Sequence, residues 1–104
     1  MRDSHAVAQR FGENLIRARR RAGISQEELG IRASLHRTQI GLLERGGRLP
    51  RIDTLAKLAG ALEVPVGELF EGIAWRPGHA RVGGWGQTGP NPVKTKGTGR
   101  PNTP

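Results

Sequence analysis

The segment that decides the fold is, at residues 25–45, SQEELGIRASLHRTQIGLLER. It opens with Ser25 and, three residues later, Glu28, the Ser-x-x-Glu pattern that marks a helix N-terminus. Helical spacing of apolar residues stops at residues 34–36, Ser-Leu-His, which leave room only for a tight turn, and it resumes over residues 37–45. The segment therefore predicts two short helices joined by a three-residue turn.

Three further helices are predicted around this segment from the spacing of apolar residues. The first covers about Ala6 to Ala22 and ends at Gly23, another covers about Ile52 to Leu62, and a last short one covers about Val66 to Glu71. Apart from the adjacent pairs Leu55–Ala56 and Leu69–Phe70, the side chains expected to face the core lie three or four residues apart within each helix: Val7, Phe11, Leu15, Ala18, Ala22, Leu29, Ala33, Ile40, Leu43, Ile52, Leu55, Ala56, Ala59, Leu62, Leu69 and Phe70. The pattern predicts an all-α, compact five-helix domain over residues 1–71.

The composition of the chain changes at residue 72. Residues 72–104 contain thirteen Gly or Pro and five basic residues but no acid, and no helical or strand periodicity continues there. Such a segment buries too little apolar surface to offset the entropy lost on ordering. We therefore expect a flexible, disordered basic tail. Three roles are open for its Trp75 and Trp85: packing over the core, stacking on bases, or simple exposure.

The balance of charge favours polyanionic partners. The formal net charge is +8, with all nine acidic residues in 1–71 beside twelve Lys and Arg. Such a balance is typical of nucleic-acid binding first and of anionic membrane surfaces second. No stretch approaches the roughly 20 apolar residues of a membrane span, and the N-terminus lacks a secretory signal pattern. We expect a cytoplasmic, nucleoid-associated protein with no membrane partner.

The residues offer no constellation for catalysis. The chain has no cysteine, which excludes disulfides and thiolate chemistry, and no nucleophile stands in a recognisable pattern with a base. His5, His36 and His79 have no Asp or Glu three or four residues away that would complete a metal site. We therefore expect a non-enzymatic protein without a metal or cofactor.

Two short helices with a three-residue turn form the helix-turn-helix geometry, in which the second helix lies along the major groove of DNA. The chain resembles the Cro and phage-repressor type of helix-turn-helix domain, also called the xenobiotic-response-element family. The motifs that carry this resemblance are Ser-Gln-x-x-Leu at 25–29, Ile-x-x-Leu-Glu-Arg-Gly at 40–46 and Leu-x-x-Leu-Ala-x-x-Leu at 55–62. The resemblance implies a phage-repressor-like fold that binds double-stranded operator DNA, commonly as a homodimer. It predicts a repressor-type transcriptional regulator whose helix 37–45, within the helix-turn-helix 26–45, reads the major groove.

The resemblance also implies roles for individual residues. Four side chains are expected to reach base edges: His36, Arg37, Thr38 and Leu42. Three are expected to contact phosphates: Gln26, Gln39 and Arg45. Arg37 comes first, because its planar guanidinium can pair with O6 and N7 of guanine. Thr38 is expected to donate to a base or to touch a thymine methyl, and Leu42 is limited to methyl contacts.

Two further pairs of charged residues complete the expected interface. Arg48 and Arg51 flank Pro50 in the loop after the second helix, where the fold would set them over the DNA backbone as phosphate contacts. Arg19 and Glu44 are expected, from the resemblance, to form an ion pair that orients the recognition helix.

The chain departs from the family pattern at a few positions. Ser34 stands where the family usually has a turn glycine, so this serine is expected to adopt a left-handed backbone conformation. Arg51 and Pro65 replace the usual serine-like caps of the last two helices. An alternative function also stays open, in which the same domain serves an antitoxin or protein-interaction module and the tail binds a protein partner.

Overall fold

A computed structural model describes residues 2–78 and 84–86 of the chain. The chain divides into two units, Met1–Glu71 and Gly72–Pro104. The elements of the described residues are α1 (Arg2–Ala22), α2 (Gln26–Ala33), α3 (Arg37–Glu44), α4 (Ile52–Leu62), α5 (Val66–Leu69), β1 (Ala74–Arg76) and β2 (Gly84–Gly86). The predicted five-helix architecture is confirmed, and the short sheet is a feature that the sequence did not indicate.

The core of the helical unit takes side chains from all five helices. Six apolar side chains are fully buried: Phe11, Leu15, Leu29, Ile40, Leu58 and Leu69. Burying a side chain of this size stabilises a fold by about 1.5–3 kcal/mol. Because α3 packs against both α1 and α2, its two core residues, Ile40 and Leu43, fix which of its faces is turned outward.

The buried face of α4 differs in part from the predicted one, since Ala59 and Leu62 are buried as predicted but other positions are not. Leu58 is fully buried although the predicted stripe left it out, whereas Ile52 is 85% exposed and Ala56 is exposed as well. A stripe through Leu58 and Leu62 has the same helical spacing as one through Ile52 and Ala56. Spacing alone therefore could not show which face of α4 is buried. The face that is buried is the one that contacts the other helices.

Some helix ends also lie elsewhere than predicted. α1 begins at Arg2 rather than Ala6. Ser4 and His5, which precede the predicted start, are exposed and carry no apolar signal. α5 ends at Leu69 rather than Glu71, and Phe70 is 37% exposed. Phe70 still contacts Phe11 edge to face, with ring centroids 6.1 Å apart, so only one side of its ring belongs to the core.

The turn between α2 and α3 has the geometry expected of its residues. Ser25 caps α2, since its Oγ accepts the Glu28 N–H at 3.0 Å. Ser34 is left-handed, at φ 57° and ψ 44°, as predicted, and the Leu35 N–H donates to the Gly30 carbonyl at 2.8 Å. A Cβ at Gly30 would lie 2.6 Å from the Leu35 carbonyl oxygen. The turn and the first residue of α3 therefore approach the α2 backbone at Gly30 too closely for a side chain there.

A buried polar residue ties α1 to the end of α5. Asn14 is 1% exposed, and its amide nitrogen donates to the carbonyls of Leu69 and Glu71, both at 2.9 Å. Its amide oxygen accepts a hydrogen bond from Arg17 at 2.7 Å. Asn14 therefore satisfies carbonyl groups that the end of a helix leaves without partners.

The described part of the second unit is an antiparallel strand pair. β1 and β2 place Trp75 opposite Trp85, and the two rings meet edge to face with centroids 5.5 Å apart. Both indoles are exposed. The absence of regular structure predicted for 72–104 is therefore corrected at these two strands. Residues 79–83 of the predicted tail, with His79, and residues 87–104 lie outside the described residues.

The left-handed Ser34 generates a stability prediction. Ser34→Gly should raise the free energy of unfolding by about 0.5–1 kcal/mol, because a Cβ in this backbone region costs about 1–2 kcal/mol and the greater freedom of glycine in the unfolded chain offsets part of the gain. Urea denaturation measures this change as a higher midpoint at unchanged slope. Ser34→Ala is the control, since it keeps the Cβ and should not stabilise. Equal stabilisation by both variants would contradict the explanation.

Candidate nucleic-acid interface

The outward face of α3 begins with four consecutive exposed residues, His36, Arg37, Thr38 and Gln39. His36 is the N-cap residue and Arg37 is the first residue of the helix. Ile40, one residue further on, is fully buried. The leading turn of α3 is therefore anchored from within and carries its polar side chains on the surface of the helical unit.

His36 and Thr38 form one hydrogen-bonded group. His36 Nδ1 accepts the backbone N–H of Thr38 at 3.2 Å, and it lies 2.8 Å from Thr38 Oγ1. Side-chain caps are usually Ser, Thr, Asp or Asn, so the sequence pattern gave no sign that a histidine would cap this helix. The His36 ring therefore caps α3, in addition to the base contact that was expected for it.

A buried ion pair joins α1 to the end of α3. Arg19 donates from Nε to Glu44 Oε2 at 2.6 Å and from Nη2 to Glu44 Oε1 at 3.1 Å. The Glu44 side chain is 4% exposed and that of Arg19 is 14% exposed. The hydrogen bond with Glu44 raises the pKa of Arg19; burial lowers it, and the attraction of the carboxylate raises it further. Arg19 therefore stays charged in its half-buried position.

Gln26, expected at a phosphate, is a third member of this group. Its amide nitrogen donates to Glu44 Oε1 at 2.9 Å, so one of its two amide hydrogens is engaged inside the protein. Gly41 makes room here, because a Cβ at that position would lie 3.2 Å from the Arg45 guanidinium. The sequence analysis did not predict a role for Gly41, because the sequence does not show which side chains pack against a glycine within a helix.

The loop after α3 gathers several of the predicted contact residues. Gln39, Leu42, Arg48 and Arg51 line one shallow cleft. Leu42 is half-buried, and a Cβ at Gly47 would clash with its Cδ1. Leu42 is therefore partly engaged in holding the loop, and only the rest of its side chain is available for an apolar contact.

The arginines of the helical unit differ in whether a carboxylate neutralises them. Ion pairs join Arg10–Glu13, Arg17–Glu71, Arg19–Glu44, Arg21–Glu68, Arg32–Glu28 and Arg51–Asp53. In the part of the chain that the structure describes, Arg37, Arg45 and Arg48 form no such pair, and neither do Arg20 and Lys57. Positive charge without a counter-ion is thus concentrated on α3 and the loop that follows it.

Residues 2–78 and 84–86 contain no group of three or more His, Cys, Asp or Glu placed to hold a metal ion. A bilayer-crossing helix must be both long and apolar, and none of the helices described above meets that requirement.

Comparison with known proteins points to one family. A helix-turn-helix family model matches residues 15–69. The chain is 43% identical over 58 residues to an uncharacterized HTH-type transcriptional regulator, y4dJ, of Sinorhizobium fredii, a match that covers 56% of this chain and 75% of that protein. It is 36% identical over 62 residues to the control protein C.BamHI of Bacillus amyloliquefaciens, covering 59% of this chain and 76% of that protein.

Solved structures give the same picture. The restriction-modification controller protein C.AhdI from Aeromonas hydrophila is similar to this chain with a TM-score of 0.64 and 38% identity, over 65% of this chain and 99% of that chain. The hypothetical transcription factor NHTF from Neisseria is similar with a TM-score of 0.59 and 30% identity, over 62% of this chain and 74% of that chain.

The buried ion pair generates a second stability prediction. Glu44→Ala should lower the free energy of unfolding by about 3 kcal/mol, because it leaves the Arg19 charge without its partner in a poorly hydrated site. Chemical denaturation followed by circular dichroism measures the loss. Glu13→Ala removes the carboxylate of the exposed Arg10–Glu13 pair and should cost less than about 1 kcal/mol. Losses of equal size would show that burial of the Arg19–Glu44 pair is not what matters.

Proposed function

Because the chain belongs to the helix-turn-helix family, we propose that it regulates transcription by binding specific sites in double-stranded DNA through the outward face of α3. One observation above all supports this proposal. A helix anchored by its buried residues carries exposed hydrogen-bonding side chains at its leading end, and among the described residues Arg37, Arg45 and Arg48, on this helix and in the loop after it, form no ion pair. Base edges in a groove and phosphates along its rim need this combination.

The proposal divides base reading from phosphate binding. Base edges are read by the leading turn of α3, with Arg37 as the principal contact, helped by His36 and Thr38. Leu42 adds an apolar contact where its exposed part reaches a thymine methyl. Phosphates are bound by the flanking residues Gln26, Gln39, Arg45, Arg48 and Arg51. Specificity and salt-dependent affinity then depend on different residues.

Regulation in this proposal is by occupancy of a DNA site, as a repressor occupies an operator, and not by catalysis. The site of action is the chromosome within the cytoplasm. Two copies of the chain bind as a homodimer, and their α3 helices then enter successive major grooves about 34 Å apart. The binding site is therefore a palindrome with half-sites one helical turn apart.

Selection from random duplex DNA at near-physiological salt tests the proposal with the full chain. The expected result is an enriched motif with two-fold symmetry. A motif without symmetry would remove the dimer from the proposal. If no motif is enriched, base reading by α3 is ruled out.

The first residue-level prediction concerns Arg37. Arg37→Ala should weaken binding to the selected site by about 1–3 kcal/mol and relax base preference at one position, because the guanidinium pairs with a base edge. Fluorescence anisotropy on the selected site and on single-base variants measures both effects. The control is Arg21→Ala, which removes the same charge from α1, where Glu68 of α5 holds it at 2.8 Å. Equal losses on selected and random DNA would make Arg37 a phosphate contact.

The second concerns Arg48. Arg48→Ala should weaken selected and random duplexes alike and lower the slope of log affinity against log salt by about 1, because one phosphate contact fewer releases one counter-ion fewer. A salt titration measures the slope. Arg51→Ala serves for comparison and should lower it less, since Asp53 already lies 3.3 Å from that guanidinium. An unchanged slope for Arg48→Ala would remove this residue from the interface.

A further inference from the structure

The polarity of the Thr38 hydroxyl is settled by its neighbour. A threonine hydroxyl can both donate and accept, so Thr38 by itself would not distinguish a base acceptor from a base donor. In this structure His36 Nδ1 lies 2.8 Å from Thr38 Oγ1 and also accepts from the Thr38 backbone N–H at 3.2 Å. Whether Nδ1 carries a hydrogen therefore decides whether the Thr38 hydroxyl can still donate a hydrogen bond to a base.

The backbone contact identifies the tautomer of His36. A peptide N–H can only donate, so the Nδ1 that receives it must carry a lone pair and no hydrogen. The ring hydrogen is then on Nε2. With a lone pair on Nδ1, the short contact from Thr38 Oγ1 is a hydrogen bond that the hydroxyl donates. Its only hydrogen is thereby used, and Oγ1 presents lone pairs alone to anything outside.

We propose that Thr38 reads its base as an obligate hydrogen-bond acceptor, selecting an amino-bearing base, adenine or cytosine, on the contacted strand, and that His36 is the positioning residue that fixes this polarity. The inference rests on the proposed function. In the major groove adenine presents its N6 amino group and cytosine its N4 amino group, whereas guanine O6 and thymine O4 only accept. This proposal replaces the donor role expected for Thr38 by an acceptor role, and in it Nε2 of His36 is an outward donor for a phosphate or a base acceptor.

The surroundings of the pair fit this assignment. Both side chains are exposed on the leading turn of α3, so Thr38 Oγ1 is accessible. The charged residues that line the cleft beside His36 are Glu27 and Arg37, and neither forms an ion pair or hydrogen bond with the ring among the described residues. Among residues 2–78 and 84–86, no group other than Thr38 bonds to His36 Nδ1.

The test uses the full chain and the selected duplex at a single fixed pH. Thr38→Val keeps the shape and the methyl group of the side chain. Selection repeated with this variant identifies the base position that Thr38 contacts, as the position at which the base preference changes. At that position the wild type should prefer adenine or cytosine. Replacing the base by its analogue without the amino group, purine for adenine or pyrimidin-2-one for cytosine, should weaken wild-type binding about two- to twelvefold. Thr38→Val should not respond to that replacement.

Two variants of His36 separate positioning from a merely structural role. His36→Ala frees the hydroxyl to donate, so the preference for an amino-bearing base should fall toward none at the Thr38 position. His36→Asn keeps an acceptor at the helix cap and should restore the preference. Thermal unfolding of each variant confirms that it is folded at the assay temperature.

The outcomes distinguish this inference from the function on which it rests. An enriched motif with guanine or thymine at the Thr38 position would overturn the inference and leave the function standing. The same holds if His36→Ala keeps the wild-type preference, or if removing the amino group leaves wild-type affinity unchanged. Absence of any motif would instead overturn the proposed function.

Discussion

The carboxylate of Glu44 is the contact on which the placement of the recognition helix depends. It accepts hydrogen bonds from Arg19 of α1 and from Gln26 of α2, and it belongs to the last residue of α3. Three helices therefore meet at one buried charge. Backbone packing supports the same end of α3: a Cβ at Gly12 would lie 2.6 Å from the Glu44 carbonyl oxygen, and one at Gly46 would lie 2.9 Å from the Gln9 side chain.

The opposite end of α3 is fixed by different means. The turn from α2 is closed by the Leu35 N–H to Gly30 carbonyl bond and by the left-handed Ser34, and His36 caps the helix. A buried ion pair adds little net stability, because desolvation offsets most of its attraction. Its effect here is geometric, since together with the turn it holds both ends of α3 while the outward face stays free.

Local signals were sufficient for the parts of the fold that depend on neighbours in sequence. Ser25 with Glu28 marked the start of α2, and Gly23 marked the end of α1, where it has φ 74°. Local signals did not give contacts between distant residues; the left-handed Ser34 and the Arg19–Glu44 pair were expected only from the family resemblance. The choice of Leu58 over Ile52 for the core depends on which helices approach α4. The Asn14 bonds to α5 span 55 and 57 residues.

The candidate site shows the same division. The residues of the site could be predicted because the chain carries the family motifs in register. The hydrogen bonds that these residues make could not be predicted, because they involve residues outside the motifs. Gln26 was expected to contact a phosphate, and one of its two amide hydrogens is donated to Glu44 instead. The β1–β2 sheet had no signal either, since strands of three residues within a Gly-rich segment are too short to show a period of two.

Net charge understates the positive face of the helical unit. The residues 1–71 carry an excess of only three positive charges, which by itself would attract DNA weakly. The acids, however, are not spread evenly over the arginines: Glu68 and Glu71 neutralise cations of α1, and Glu28 neutralises Arg32 within α2. Since the field close to a surface follows the local charge, Arg37, Arg45 and Arg48, which form no ion pair among the described residues, make the surface of α3 and its following loop locally positive. A chain of the same composition with these acids placed beside α3 would keep the fold and lose the attraction for DNA.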